Sequence, residues 1–218
     1  VSMAGWEFLA PRRALRERRS LRWTHNLALV ALNTLAVRAL MPVAAVGVAA
    51  FAARHGTGVL NILPAPYAWS FAVSVVALDL AIYLQHLMFH AVPLLWRLHR
   101  VHHADLDVDV TTGARFHPIE IVLSMLIKLG VILALGPPVA AVLVFEVLLN
   151  ASSTFNHGNV RMPGRLDRAL RWLVVTPDMH RVHHSEIRAE MDSDFGFCLS
   201  CWDRVFGTYV AEPAKGQI

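Results

Sequence analysis

The chain has 218 residues, 56% of them hydrophobic, with a mean hydropathy of +0.46 and a formal net charge of +4. Soluble domains carry about 45–50% apolar residues, so the excess points to a membrane, and the length to one domain. The positive charge lies on arginines beside apolar segments, with no aromatics interleaved along a basic groove, which suits anionic lipid headgroups and argues against nucleic acid.

Residues 1–25 form a basic lead, with Arg12, Arg13, Arg16, Arg18, Arg19 and Arg22 ahead of an interfacial Trp23, as expected for a cytoplasmic segment. No cleavable signal is expected, because the first apolar run starts only after this lead. That run, Leu27 to Ala53, is interrupted by Arg38 and Pro42. It is long enough to span once with a kink, and a re-entrant hairpin is the competing reading. Gly56, Gly58, Pro64 and Pro66 mark a loop. A second span runs from about Ala68 to His90, with Asp79, Tyr83, His86 and His90 four, three and four apart on one stripe. An aspartate inside a span is costly, which makes it a functional candidate; its bland alternative is a polar contact between helices.

Pro93 ends this helix, and Leu94 to Leu98 reads as an interfacial segment leading into His99, His102 and His103. Asp105 to Thr112 reads as a loop. A third helix opens at His117-Pro118-Ile119-Glu120, where His117 either caps the helix or faces a site. Ile119 to Leu135 and Val139 to Phe155 are two spans around the turn Gly136-Pro137-Pro138. Lys128 and Glu146 each lie nine residues from Pro137, so in a straight hairpin they share one depth and should pair. Glu146, Asn150, Thr154 and His157 form a stripe expected to face the bundle interior. Beyond it, Arg165, Arg168 and Arg171 alternate with leucines on an amphipathic surface helix, and Thr176 can cap a helix carrying His180, His183 and His184. Cys198 and Cys201 are spaced CxxC without a second pair, and are expected to be plain thiols. The aromatic stretch Trp202 to Tyr209 is expected to pack over the site. The domains expected are the lead 1–25, one membrane domain 26–210 and a tail 211–218.

Five of the twelve histidines lie between His86 and His103, at helical spacings, and the triangle HxxHH recurs at His180–His184. Residues three and four apart share a helix face, and imidazole is the commonest metal ligand. A lone histidine on an apolar helix is usually packing; three matched boxes form a ligand set. Zinc-protease chemistry is disfavoured, since Leu87 and Arg100 stand where a glutamate is needed. With the lead in the cytoplasm, the boxed histidines, His117 and His157 all fall on one membrane side. The expected fold is all-α: a multi-pass membrane helical bundle of about four spans, with a cytoplasmic helical cap carrying a histidine-rich dimetal site.

These boxes resemble the fatty acid hydroxylase/sterol desaturase superfamily of membrane di-iron proteins. So do Asp109-Val-Thr-Thr112, Arg115-Phe-His-Pro118, Phe155-Asn-His-Gly-Asn159, Thr176-Pro-Asp-Met-His180 and Trp202 to Tyr209. The likeness covers about Asn26 to Tyr209 and is nearest the compact bacterial branch. One departure is Asp194, standing where such proteins often carry asparagine. The resemblance implies two irons, with zinc able to occupy the site in a purified protein. The ligands would be His86, His90, His99, His102, His103, His157, His180, His183 and His184, with His117 filling a tenth place. Asp79 and Asn150, with Tyr83 on the same stripe as Asp79, would stand behind the imidazoles; no residue is assigned a proton transfer. It further implies hydroxylation or desaturation of a membrane lipid, fatty acyl, sterol or related. That reaction would use dioxygen and electrons from an external donor, a ferredoxin or cytochrome b-type protein with its reductase, in a bacterial inner membrane. Zinc has no redox chemistry for such C–H bonds. Two other classes stay open: a protein that stores or transports zinc or iron, and a catalytically silent lipid-binding scaffold.

Overall fold

In the computed structural model, residues 2–41 and 43–214 are described; Pro42, read above as an interruption, and the end of the 211–218 tail lie outside them. Among the described residues twelve α-helices follow in order: α1 (Ser2–Leu9), α2 (Arg19–Leu40), α3 (Ala45–His55), α4 (Val59–Ile62), α5 (Tyr67–Ala91), α6 (Pro93–His103), α7 (Pro118–Leu135), α8 (Val139–Asn156), α9 (Gly164–Leu170), α10 (Pro177–His183), α11 (Arg188–Met191) and α12 (Cys201–Val205). No strand occurs among the described residues, only two isolated bridges. Four stretches are long and apolar enough to cross a bilayer: 19–62, α5, α7 and α8. The protein is thus an all-α membrane bundle, as its hydropathy predicts.

The first stretch resolves the choice between a single crossing and a hairpin. Near its start, Asn33 Nδ2 donates to the Phe116 carbonyl at 3.0 Å, just ahead of α7. Past its end, Gly58 packs against the Gly136 backbone, at the far end of α7. The two ends of 27–53 therefore lie at opposite ends of the bundle, and α2 with α3 crosses once. Arg38, the interruption on α2, is exposed.

The turn between α7 and α8 closes on Gly136, whose φ of 66° is easily adopted without a Cβ, and Pro138 sets the entry to α8. The equal-depth argument holds: Lys128 Nζ lies 2.6 Å from Glu146 Oε1. In the outer half of the bundle, Ala45 and Ala49 of α3 pack against Leu78, Ile132, Val142 and Phe145. Small alanines let the backbones approach closely, which drives helix association where lipid is the solvent.

The other end is polar and carries the cap. The N-terminal segment lies on that cap. Glu7 Oε1 accepts from the Val110 and Asn159 amides at 2.9 and 2.7 Å, and Arg12 Nε lies 3.0 Å from Asp178 Oδ1. Arg22 is held by Asp105 at 2.9 Å and Asp109 at 2.6 Å, and by the Asp107 carbonyl. From the C-terminal side, Cys198 N, Leu199 N and Trp202 Nε1 all donate to Asp79, at 3.2, 3.1 and 2.9 Å. Tyr83 bonds Thr208 at 2.8 Å and stacks on Phe206. These contacts seat the aromatic stretch against α5. Both thiols are free, and burial pushes the Cys198 thiol up to about 12, so it is no nucleophile near neutral pH.

Candidate metal centre

The cap end of α5 supplies His86 and His90, and α6 supplies His99, His102 and His103. His157 caps α8, and α10 with its C-cap supplies His180, His183 and His184. Pro93, expected to end α5, stands at the first position of α6, and Thr176 caps α10 as expected, its Oγ1 accepting from Met179 N at 3.3 Å. These nine histidines form two groups: His86, His90, His99, His103 and His183; and His102, His157, His180 and His184. Within each group the ligating atoms lie within 4.8 Å of one another.

Each HxxHH box is split between the groups. On α6, His99 and His103 are one turn apart and share the first group, while His102, rotated away, joins the second. On α10 the pair one turn apart, His180 and His184, joins the second, and His183 the first. The two boxes interlock, and the stacked rings of His103 and His184, 4.6 Å apart, bridge the groups.

The outer nitrogens of six imidazoles are fixed. Nδ1 of His86, His102, His157 and His183 donates to the carbonyls of Phe195, Arg115, Ser153 and Ser193, at 2.9, 3.2, 2.8 and 2.7 Å. Carboxylates serve His99 (Glu120, 2.6 Å) and His90 (Asp192, 3.3 Å). A carbonyl only accepts, so the proton must sit on Nδ1 and the Nε2 lone pair faces inward. Yet His102 and His157, both held by carbonyls, bring their Nε2 atoms to 3.1 Å. Facing lone pairs at that distance repel, and a shared cation removes the conflict. Nε2 of His90 and His183 and both nitrogens of His103 and His184 are buried without partners. Burial holds His99, His102, His103, His180, His183 and His184 well below the ordinary histidine value, and His157 down to about 4. Neutral imidazole is the ligating form. The donor set fits a pair of iron, zinc, copper or nickel ions.

Four expected residues stand elsewhere. His117 is not brought to the cluster; its Nδ1 accepts from Ile119 N at 3.1 Å as the N-cap of α7. Asn150 is exposed and folds back on its own helix, donating to the Glu146 carbonyl at 2.7 Å. Asp79 hydrogen-bonds Cys198, Leu199 and Trp202, and Tyr83 bonds Thr208, so both hold the segment that follows the Phe195 carbonyl. The groups behind the imidazoles that sequence reasoning missed are Glu120, Asp192 and the four carbonyls. Glu120 had a signal: it is a carboxylate in the first turn of an apolar span.

A cavity of about 210 Å³ adjoins both groups, walled by His86, His99, His102 and His180 at one end. Ile82, Phe89, Ile121, Met125, Leu149 and Phe197 make the rest largely apolar. Asn150, exposed on α8, also lines it.

A family model described as fatty acid hydroxylase matches residues 71–208. Alkylglycerol monooxygenase of Xenopus tropicalis is 30% identical over 158 residues, 70% of this chain and 33% of its own length; the Homo sapiens protein is 28% identical with the same coverage. Ornithine lipid hydroxylase OlsE of Rhizobium tropici is 30% identical over 149 residues, 68% of this chain and 44% of its own. The chain thus spans between a third and a half of these relatives' lengths. No solved structure matches it.

Proposed function

The chain belongs to the fatty acid hydroxylase family, and on that footing we propose that it is a membrane-bound di-iron oxygenase that hydroxylates or desaturates a C–H bond of a lipid. The observation that supports this is two imidazole groups side by side at one end of a largely apolar cavity. In this reading His86, His90, His99, His103 and His183 hold one iron, and His102, His157, His180 and His184 the other. Bound iron supplies the dioxygen and C–H chemistry that no side chain here can. The protein does the rest. Phe195, Ser193, Arg115 and Ser153 carbonyls hold the protons on Nδ1, and Glu120 and Asp192 orient His99 and His90. Phe116 stacks flat on His102, at 4.6 Å, and shields that side from water. The apolar wall aligns an alkyl or acyl segment against the imidazole end.

The related proteins named above act on lipids, which supports a lipid substrate here. Electrons would come from outside, from a ferredoxin or a cytochrome b-type protein with its reductase. Arginines in the lead support a cytoplasmic cap in a bacterial inner membrane. Among the described residues no further group that could hold a metal lies outside these two, which weighs against metal transport. The test compares lipid extracts of a host expressing the protein or its His183→Ala variant under labelled dioxygen. Lipids carrying one labelled oxygen, or lacking two hydrogens, should appear only with the parent protein. Equal lipid profiles from the two strains would overturn the proposal.

A further inference from the structure

Outside the four spans, the C-terminal part of the chain carries large apolar side chains that the described residues leave uncovered. Leu166 on α9, Trp172 and Leu173 just past it, and Val205 and Phe206 at the end of α12 are all exposed; Trp172, Leu173 and Val205 are 70, 69 and 68% exposed. They belong to one ledge. The backbones of 173–175 and 198–200 pair through Val175 N to the Cys198 carbonyl, at 3.1 Å, and Ser200 N to the Leu173 carbonyl, at 3.3 Å. The Arg204 guanidinium lies over the Trp172 ring at 4.8 Å and joins that pair to α12. Exposed Arg165 and Arg168 flank Leu166 on α9.

The position of the ledge along α5 says what covers it. The Cys198 and Leu199 amides and Trp202 Nε1 are all held by Asp79, twelve residues from either end of α5 (Tyr67–Ala91). A helix of 25 residues is about 37 Å long, so a hydrocarbon core of about 30 Å lying anywhere within it includes its middle. Phe206 stacks on Tyr83 one turn farther along, with ring centroids 5.2 Å apart. Val76 and Leu84, on the same stretch of α5, are exposed as well. A soluble partner would have to enter the bilayer to reach a surface at this depth, where acyl chains already lie. A non-helical segment there must have its amides answered by protein, which is what Asp79 does for Cys198 and Leu199.

We propose that this ledge is immersed in the bilayer without crossing it, Trp172, Leu173, Val205 and Phe206 lying against acyl chains and Arg165 and Arg168 reaching the lipid phosphates. The segment that delivers the Phe195 carbonyl to His86 is then held by the membrane as well as by α5. The test reads Trp172 by fluorescence in the full chain, reconstituted into vesicles of phosphatidylcholine and phosphatidylglycerol, as the difference between the parent and Trp172→Phe. Bromine on the acyl chains quenches an indole that touches them; acrylamide in the water quenches one in solvent. The Trp172 emission should be lost in lipids brominated along their acyl chains and kept in acrylamide. In the same way Val205→Trp should add an emission that brominated lipid removes, and it decides alone if Trp172→Phe does not fold. Emission at these positions that brominated lipid leaves unchanged overturns the proposal. Loss in acrylamide would then mean that the ledge stands in water, and loss in neither that a second copy of the chain covers it.

Discussion

Asp194 offers a quantitative check on how the cap is held together. It lies at φ 49° between Ser193 and Phe195, whose carbonyls orient His183 and His86. Its Oδ1 accepts from Val210 N at 3.2 Å, while Oδ2 is buried without a partner. Burial first, and the Asp203 carboxylate second, push its pKa up to about 8 from the ordinary 3.8. A carboxyl raised in this way binds its proton more tightly in the native state, so stability falls as pH rises from about 4 to about 8. At pH 7 the penalty is ~1.4 kcal/mol for each of roughly three units, on the order of 4 kcal/mol. Asparagine keeps the shape, tolerates the left-handed conformation and carries no proton to lose. It also places a donor where Oδ2 is unanswered. Part of the gain is offset by burying the amide, so Asp194→Asn should stabilise by ~1–3 kcal/mol near pH 8 and by less than ~1 kcal/mol near pH 5. The assay is thermal unfolding followed by tryptophan fluorescence in one detergent at both pH values, each kcal/mol shifting the midpoint by ~2–4 °C. The histidines titrate alike in both proteins, so the difference isolates position 194. A variant no more stable than its parent near pH 8, or one gaining equally at both, would refute the reasoning.

The division of the boxes predicts metal stoichiometry: His103→Ala and His102→Ala should each lower bound metal from about two ions to about one, measured by elemental analysis, with lipid product lost in both. His117→Ala should leave metal content unchanged and lower stability by ~1 kcal/mol, the ordinary worth of a helix cap, in the same thermal assay. Lys128→Met and Glu146→Leu should each destabilise by ~1–3 kcal/mol, and the double variant by less than their sum, giving a coupling above ~0.5 kcal/mol; additive losses would show that the pair contributes nothing as a pair.

What the sequence could reveal followed from local periodicity. The boxes, the spans and their common end are written in residues three, four and nine apart, and a helix turns those spacings into faces and depths. The Lys128–Glu146 contact was legible for that reason, because one turn fixes both partners. Asp79 was flagged correctly as unusual, but its partners lie about 120 residues later, where no spacing rule reaches. Tyr83 and Asn150 were misplaced for related reasons: a stripe gives the face of a helix, and not what lies opposite. Backbone carbonyls orient four of the imidazoles, and a carbonyl has no residue type to betray it. The division of each box into two and one was implicit in the angle between His99, His102 and His103, but needed the second box to give it meaning.

The Asp79 clamp has a consequence for how the protein is made. Ribosomes add about 5–20 residues each second, so roughly 5–18 s separate the synthesis of His103 from that of Phe195. During that interval the first five box histidines are already in place, while the strap that fixes His86 and His183 does not yet exist. Metal captured then would meet an incomplete and loosely oriented set. A pair of ions would therefore be acquired after insertion of the spans, once Cys198 and Leu199 have docked on Asp79. A nascent chain halted before residue 195 should sit in the membrane with its four crossings made and its metals unclaimed.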